Sequence, residues 1–100
     1  MRSLRIAERA KRDLAFIVDY THTVWGRAQA QRYLAEIEAG FFLLLAFPEA
    51  GRRRDDVRAG CRSLLKAHHV IYYELNGDFV DVIGVLHERM DPVTQFEGSP

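Results

Sequence analysis

The side chains that could do chemistry are concentrated where the segment VIGVLHERMDP, residues 82–92, changes from strand-forming to charged residues. Cleavage of RNA through its 2′-hydroxyl needs a base, an acid for the leaving oxygen, and cations that stabilise the phosphorane. His87 or Glu88 could supply the base. The cations available to such a ribonuclease are Arg58, Arg62, Lys66 and Arg89. The residue types that this reaction needs are therefore all present.

A structural role for the same residues is the alternative, and the charge pattern favours it. From Glu74 onward the chain carries six acidic residues and one basic residue, a local charge of −5 that disfavours phosphate. We expect Arg89 to pair with an acidic side chain, either Asp91 or Asp81. We expect His87 to be hydrogen-bonded at the end of its strand.

Other kinds of site have little support in the sequence. The histidines at positions 22, 68, 69 and 87 lack metal-ligand spacing, and neighbouring strand residues point to opposite faces. Cys61 is the only cysteine, so no intrachain disulfide can form, and it does not sit in a nucleophile motif. We therefore expect no metal and no cofactor, and we expect Cys61 to be a small buried side chain.

The composition is that of one globular domain. The 100 residues are 48% hydrophobic and 28% charged. No stretch approaches the ~20 apolar residues of a membrane span, and the N-terminus is too charged for a signal peptide. With the lone cysteine, these features predict a cytoplasmic protein. We assign residues 1–96 to a single domain and residues 97–100 to a short C-terminal tail.

The hydrophobic periodicity predicts elements in the order β-α-α-β-β-β. RSLRIA alternates as a short strand, and a helical pattern then runs from Glu8 to a break at Gly26. A second helix stops before Pro48, because the residue preceding a proline is pushed out of helical geometry. Three strands follow, at about residues 61–67, 69–75 and 79–87. The predicted fold is α+β, with a helical hairpin packed on a mainly antiparallel sheet.

Two glycines refine this prediction. Asn76-Gly77 is the residue pair that most readily adopts the positive φ angles of a type I′ turn, so the last two strands should form a hairpin. Gly84 interrupts the apolar strand FVDVIGVL, which indicates a bulge or a close approach by another backbone.

The segment FFLLLAF, residues 41–47, is apolar on every side of the second helix. Its inner stripe continues through Phe41, Leu44 and Leu45. The apolar residues left over are Phe42, Leu43, Ala46 and Phe47. Two interpretations remain open: the following basic loop covers these residues, or they form a docking surface for a partner.

The chain resembles the ParE toxins of bacterial type II toxin–antitoxin modules, within the ParE/RelE superfamily, from about Leu4 to Asp91. The order and spacing of many landmarks carry the resemblance. They are Asp13-Leu14, Asp19-Tyr20, Trp25-Gly26, Ala30, Tyr33-Leu34, Pro48, Gly51, Arg58, Gly60, Arg62-Ser63, His69, Ile71, Tyr73, Val85, His87, Arg89 and Asp91. The chain departs from the family at Ala7, where a capping serine or threonine is common, and at its apolar positions 42, 43 and 47.

The resemblance implies a fold shared with RelE-like ribosome-dependent mRNA endonucleases, but an action by binding. ParE-like toxins are described as inhibitors of DNA gyrase and are neutralised by a cognate ParD-like antitoxin. The RelE-like pattern also places basic or tyrosine residues beyond the last strand, which MDPVTQFEGSP lacks. We therefore expect a non-enzymatic toxin, with a RelE-like ribonuclease as the alternative and an inactive binding module as a third interpretation. Contact with DNA is expected only through the antitoxin.

The resemblance also suggests where an antitoxin would bind, since the antitoxin segment places a helix and an extended piece against the toxin. The leftover residues Phe42, Leu43 and Phe47, with Phe16 and Tyr20 on the first helix, could receive the helix. The segment from Arg52 to Lys66 has six basic and two acidic residues and could attract acidic side chains. Its predicted antitoxin-binding residues are Arg53, Arg54, Arg58 and Arg62.

Overall fold

The computed structural model describes residues 2–97, which form a five-stranded sheet with two long helices on one face. The elements are β1 (Ser3–Ile6), α1 (Glu8–Trp25), α2 (Arg27–Ala46), β2 (Arg52–Arg53), β3 (Arg62–Lys66), β4 (His69–Asn76), β5 (Phe79–His87) and α3 (Pro92–Phe96). The predicted α+β class and element order are confirmed. Most of the predicted tail, residues 98–100, lies outside the described residues. No helix between residues 2 and 97 combines the length and apolar character needed to cross a membrane.

The sheet has the strand order β1-β5-β4-β3-β2. β1 pairs in parallel with β5, with Leu4 opposite Val80, whereas the other pairs are antiparallel. β1 and β5, the first and last strands along the chain, are therefore neighbours in the sheet, and the helical hairpin follows β1 and packs on one face. The two-residue strand β2, at Arg52–Arg53, was not predicted, because a run of charged residues carries no strand periodicity.

The helical hairpin follows the sequence closely. α1 begins after Ala7, whose side chain makes no capping hydrogen bond, so the departure from the family at this position leaves the helix start without a side-chain cap. Gly26 separates the helices with φ of 92°, a value that favours glycine. α2 ends at Ala46, as expected from Pro48.

Two apolar clusters lie on opposite faces of the sheet. The larger one packs the hairpin on the sheet through Ala10, Ile17, Ile37, Phe41, Leu44, Ile71, Tyr73, Val80, Val82 and Val85. The smaller one contains Cys61, Tyr72, Ile83, Leu86 and Phe96. Its Phe96 comes from α3, so this short helix covers part of the second face. Cys61 is buried, as predicted, and burial raises the pKa of its thiol to about 11.

The hairpin between β4 and β5 is confirmed, but the predicted turn geometry is wrong. Asn76 pairs with Phe79 as part of the ladder, so the two central residues of the turn are Gly77 and Asp78. Of these residues only Gly77 has a positive φ, at 59°, as at the first central position of a type II′ turn. Asn76 stays extended and donates a hydrogen bond from its side chain to Asp81 at 2.7 Å.

The predicted bulge at Gly84 is confirmed, but the group that approaches this glycine is the side chain of Phe96 and not another backbone. The β4–β5 register shifts between Tyr72 and Tyr73, which pair with Gly84 and Val82 and leave Ile83 as the extra residue of a bulge. A Cβ at position 84 would lie 2.6 Å from the ring of Phe96, so α3 could not pack as it does over any other residue.

The leftover residues of FFLLLAF are not covered. Phe42 is 70% exposed and Phe47 64% exposed, with Leu43 at 38%. The interpretation that the basic loop folds over them is wrong, because that segment joins the sheet as β2 at the edge beside β3. The docking interpretation remains a prediction.

Candidate functional site

A cleft of about 670 Å³ opens between α1, the ends of β4 and β5, and the segment around residues 90–95. Its apolar wall is formed by Phe16, Ile17, Tyr20, Val85, Leu86 and Met90. Its polar lining is formed by Arg9, Arg12, Asp13, Thr21, His69, His87 and Gln95. We call this space the cleft.

The exposed ridge beside the cleft follows from residue spacing on α1. Arg12, Phe16, Tyr20 and Val24 are four residues apart and so lie along one side of the helix. The rings of Phe16 and Tyr20 stack with centroids 6.3 Å apart, yet the residues are 71% and 57% exposed. Ile17, one position further on, is buried in the core. One stripe of α1, which contains Ile17, therefore packs in the core. A second apolar stripe, which contains Phe16 and Tyr20, lines the cleft.

The polar end of the cleft is organised around His69. The Tyr33 hydroxyl lies 2.6 Å from Nδ1 of His69 and accepts a hydrogen bond from the backbone N–H of His68 at 3.1 Å. Tyr33 therefore ties α2 to the start of β4 through both the ring of His69 and the backbone of His68. Burial, with smaller effects from His87 and His68, lowers the pKa of His69 to about 4.

His87 lies directly opposite His69 in the β4–β5 ladder, and their rings meet edge to face at 5.3 Å. Its Nδ1 accepts a hydrogen bond from the backbone N–H of Arg89 at 3.1 Å. The predicted hydrogen-bonded histidine at the strand end is confirmed. In its neutral form His87 therefore carries its ring hydrogen on Nε2.

The predicted partner of Arg89 is wrong. Asp81 is held by the guanidinium of Arg5 at 2.9 Å, and Asp91 accepts a hydrogen bond from the backbone N–H of Val93 at 3.1 Å. Asp91 is engaged as the N-cap of α3. Asp81 is engaged by Arg5, because β1 pairs with β5 and places these two residues opposite each other. Within residues 2–97, Arg89 makes no ion pair.

The structure does not gather the residues proposed for RNA cleavage. Lys66 is the register partner of His69 and so lies near His87, but Arg62 lies four residues earlier on β3, roughly 13 Å away along the strand. Arg62 donates to the carbonyl of Gly51 at 3.0 Å and so fixes the loop after α2. Arg62 is therefore separated from His87 and is engaged elsewhere in the fold.

The other basic residues of the predicted antitoxin site are already engaged within the chain. Arg53 pairs with Asp55 at 3.2 Å, and Arg54 pairs with Asp56 at 3.0 Å. The guanidinium of Arg58 binds the carboxylate of Glu74 with two hydrogen bonds, at 2.7 and 3.1 Å. Only the Arg53 side chain remains largely exposed, at 73%. The local charge counted from the sequence is thus partly neutralised in the fold.

The structure divides the predicted apolar residues between two places. Phe16 and Tyr20 line the cleft, whereas Phe47 lines a separate cavity of about 420 Å³ with Arg2, Pro48 and neighbouring residues. Sequence reasoning missed the contributions of Arg12 and Met90 to the cleft. The four-residue spacing of Arg12 with Phe16 and Tyr20 was the signal that could have revealed the first of these. In the described part of the chain, no three His, Cys, Asp or Glu side chains are placed to hold a metal ion.

Comparison with known proteins places this architecture among bacterial toxins. Residues 4–92 match the family model described as the ParE toxin of the type II toxin–antitoxin system parDE. The chain is 39% identical over 83 residues to the ParE1 toxin of Mycobacterium tuberculosis, covering 82% of this chain and 85% of the relative. It is 35% identical over 91 residues to the ParE1 toxin of Caulobacter vibrioides, covering 91% and 94%.

The fold also resembles a solved structure, a chain of the chromosomal ParDE toxin–antitoxin system from P. aeruginosa. The TM-score is 0.76, and the match covers 87% of this chain and 96% of that one. Because the identity is 20%, this likeness concerns the fold alone.

Proposed function

Since the chain belongs to the ParE family of type II toxin–antitoxin toxins, we propose that it arrests bacterial growth by binding DNA gyrase in the cytoplasm. We also propose that a ParD-like antitoxin neutralises it. The observation that carries an action by binding is the separation of His87 from Arg62, since RNA cleavage needs its base and cations around one phosphate. The engagement of Arg58 with Glu74 supports the same conclusion.

A gyrase supercoiling assay tests the proposed action. The purified chain should inhibit supercoiling or stabilise cleaved DNA complexes, and addition of the antitoxin should restore gyrase activity. The runner-up function is tested in parallel with ribosome-bound mRNA. Reproducible cleavage of that mRNA, lost in His87→Ala, together with unaffected gyrase, would overturn the proposal.

We propose that the cleft receives the helical part of the antitoxin. Phe16 and Tyr20 are exposed aromatic side chains on a rigid helix, and Met90 lies 45% exposed among the other lining residues. Aromatic residues that become fully desolvated are the usual energetic centres of protein interfaces. An amphipathic helix bound along α1 would cover this ridge with its apolar side.

The second apolar surface, formed by Phe42, Leu43 and Phe47, is proposed to bind another part of the same antitoxin. It lies on α2 and at its end, and Phe47 lines a cavity separate from the cleft, so a ligand would have to extend beyond the cleft to reach both surfaces. An extended segment that orders on binding can cover two such separated surfaces.

Substitutions on the two surfaces test this arrangement. Tyr20→Ala and Phe47→Ala should each weaken antitoxin binding by about 1–3 kcal/mol, mainly through faster dissociation. Leu65→Ala is the matched control, because Leu65 is 58% exposed but lies on β3 and lines neither the cleft nor the cavity beside Phe47. Association and dissociation rates should be measured by surface-based kinetics, with melting temperatures to confirm folding. Unchanged binding by both folded aromatic variants would reject the assigned surfaces.

A further inference from the structure

The polar end of the cleft contains an imidazole N–H group, and a guanidinium is available in the same lining. Nδ1 of His87 is occupied as a hydrogen-bond acceptor, so its neutral ring offers Nε2–H as a donor. His69 and His87 line the same cleft, as does Arg12. The site therefore presents hydrogen-bond donors beside an apolar wall.

We propose that this end of the cleft binds a carboxylate side chain of the antitoxin segment that occupies the cleft. The inference rests on the proposed function and adds the chemical group that the site recognises. The carboxylate would accept hydrogen bonds from Nε2 of His87 and from the guanidinium of Arg12. The apolar face of the same segment would lie on Phe16 and Tyr20.

Arg12 is available for this role, unlike its neighbour. Arg9 donates to the backbone carbonyl of Gln95 at 2.6 Å and contacts Asp13 at 3.3 Å, so its charge is used within the fold. Arg12 is exposed and makes no ion pair or hydrogen bond of its own in the range 2–97. An ion pair with a partner would be formed without breaking one inside the toxin.

Both histidine rings are held in place, so His87 is a pre-oriented donor. His69 is held by Tyr33 from α2, and His87 is held by the backbone of Arg89. Because these contacts exist before any ligand arrives, little additional ordering is needed when an acceptor binds. A pre-arranged donor set of this kind favours one acceptor position over others.

A carboxylate fits this site better than a phosphate. Arg12 is the one guanidinium in the lining that has no partner among the described residues, whereas phosphate recognition commonly uses several cations. The arginines of the basic segment do not supply more, since Arg54 and Arg58 are paired with Asp56 and Glu74.

Two substitutions of His87 distinguish a hydrogen bond donated to a ligand from a contact that only supports the fold. His87→Asn keeps an acceptor near the position of Nδ1 but removes the Nε2–H donor. His87→Gln places an amide N–H near the position of Nε2 and should restore part of the binding. The folded chain of each variant is titrated by calorimetry with a synthetic peptide of the antitoxin's C-terminal segment.

A panel of such peptides identifies the carboxylate, with each Asp or Glu replaced singly by its amide. One replacement should raise the Kd for the parent chain about tenfold, as expected for one charge-assisted hydrogen bond. The same replacement should change the Kd by less than twofold in His87→Asn or in Arg12→Gln. This coupling is the result that supports the proposal, since independent effects would multiply.

The outcomes distinguish the inference from the proposed function. If Tyr20→Ala weakens binding but no acidic position couples to His87 or Arg12, the carboxylate proposal fails while the cleft remains the antitoxin site. If Tyr20→Ala leaves binding unchanged, both fail. Competition by inorganic phosphate at the same end of the cleft, with parent and amide peptides displaced equally, would also overturn the proposal in favour of a phosphate site.

Discussion

His69 shows how one residue can be fixed by its surroundings and still serve a surface site. Its ring lies between Tyr33 of α2 and His87 of β5, and its Nδ1 is hydrogen-bonded to the Tyr33 hydroxyl. The sequence showed four histidines without metal-ligand spacing, but it could not show that two of them face each other. That contact depends on the β4–β5 register, which places His69 opposite His87.

The buried position of His69 predicts a dependence of stability on pH. Burial lowers the pKa of His69 from an ordinary value of 6.5 to about 4, so between these values the unfolded chain binds a proton that the folded chain does not. The free energy of unfolding should therefore fall as the pH drops from about 6.5 to about 4. Urea titrations across this range should show a weaker fall in His69→Gln than in the parent.

A matched histidine substitution keeps this test specific. His22→Gln removes an exposed histidine near the end of α1 and controls for the loss of a histidine as such. The groups facing His69 are Tyr33, His68, His87 and Glu88, and they are unchanged in both variants. An identical pH profile for His69→Gln and the parent would contradict the assigned role of burial.

At the scale of elements, periodicity was sufficient for both long helices and the three longer strands. It failed for β2, whose two arginines carry no apolar pattern, and for α3, whose five residues are too few to show a period. α3 did have a local signal, since Asp91 at the N-cap precedes Pro92 at the first helical position. Short elements of this kind depend mainly on tertiary contacts, here the packing of Phe96.

The β4–β5 turn gives the clearest element-scale prediction. Gly77 has φ of 59°, so Gly77→Val should lower the free energy of unfolding by about 1 kcal/mol or more, because a β-branched residue resists this geometry. Asp78→Val, at the neighbouring turn residue without a positive φ, should have a smaller effect. Chemical denaturation of both variants gives the comparison. Equal losses would mean that side-chain bulk, rather than backbone geometry, limits the turn.

At the scale of the whole molecule, the sequence predicted the fold class but not the cleft. The cleft joins α1, the ends of β4 and β5, and Met90, which are separated along the chain and meet only through the sheet order. The same limit applied to charge. Arg58 lies in the basic segment of the sequence and Glu74 in the acidic one, yet the two side chains bind each other in the fold.

Long-range charge still predicts an effect on association. The Arg53 side chain is 73% exposed and can attract an acidic antitoxin even though Asp55 lies beside it. The double variant Arg53→Ala with Arg54→Ala should slow antitoxin association and flatten its dependence on salt, with less effect on dissociation. Stopped-flow association rates at several salt concentrations test this. An unchanged salt slope would show that intramolecular pairing removes the steering effect.

The central claim is that this toxin binds gyrase and does not cleave RNA. The most direct test is to produce the chain without its antitoxin and to determine which cellular process stops first. Induced bacteria should show replication failure and an SOS response while ribosome-bound messages stay intact. Co-production of the antitoxin should prevent both effects. Early codon-specific cuts in ribosome-bound messages, without an SOS response, would contradict the account.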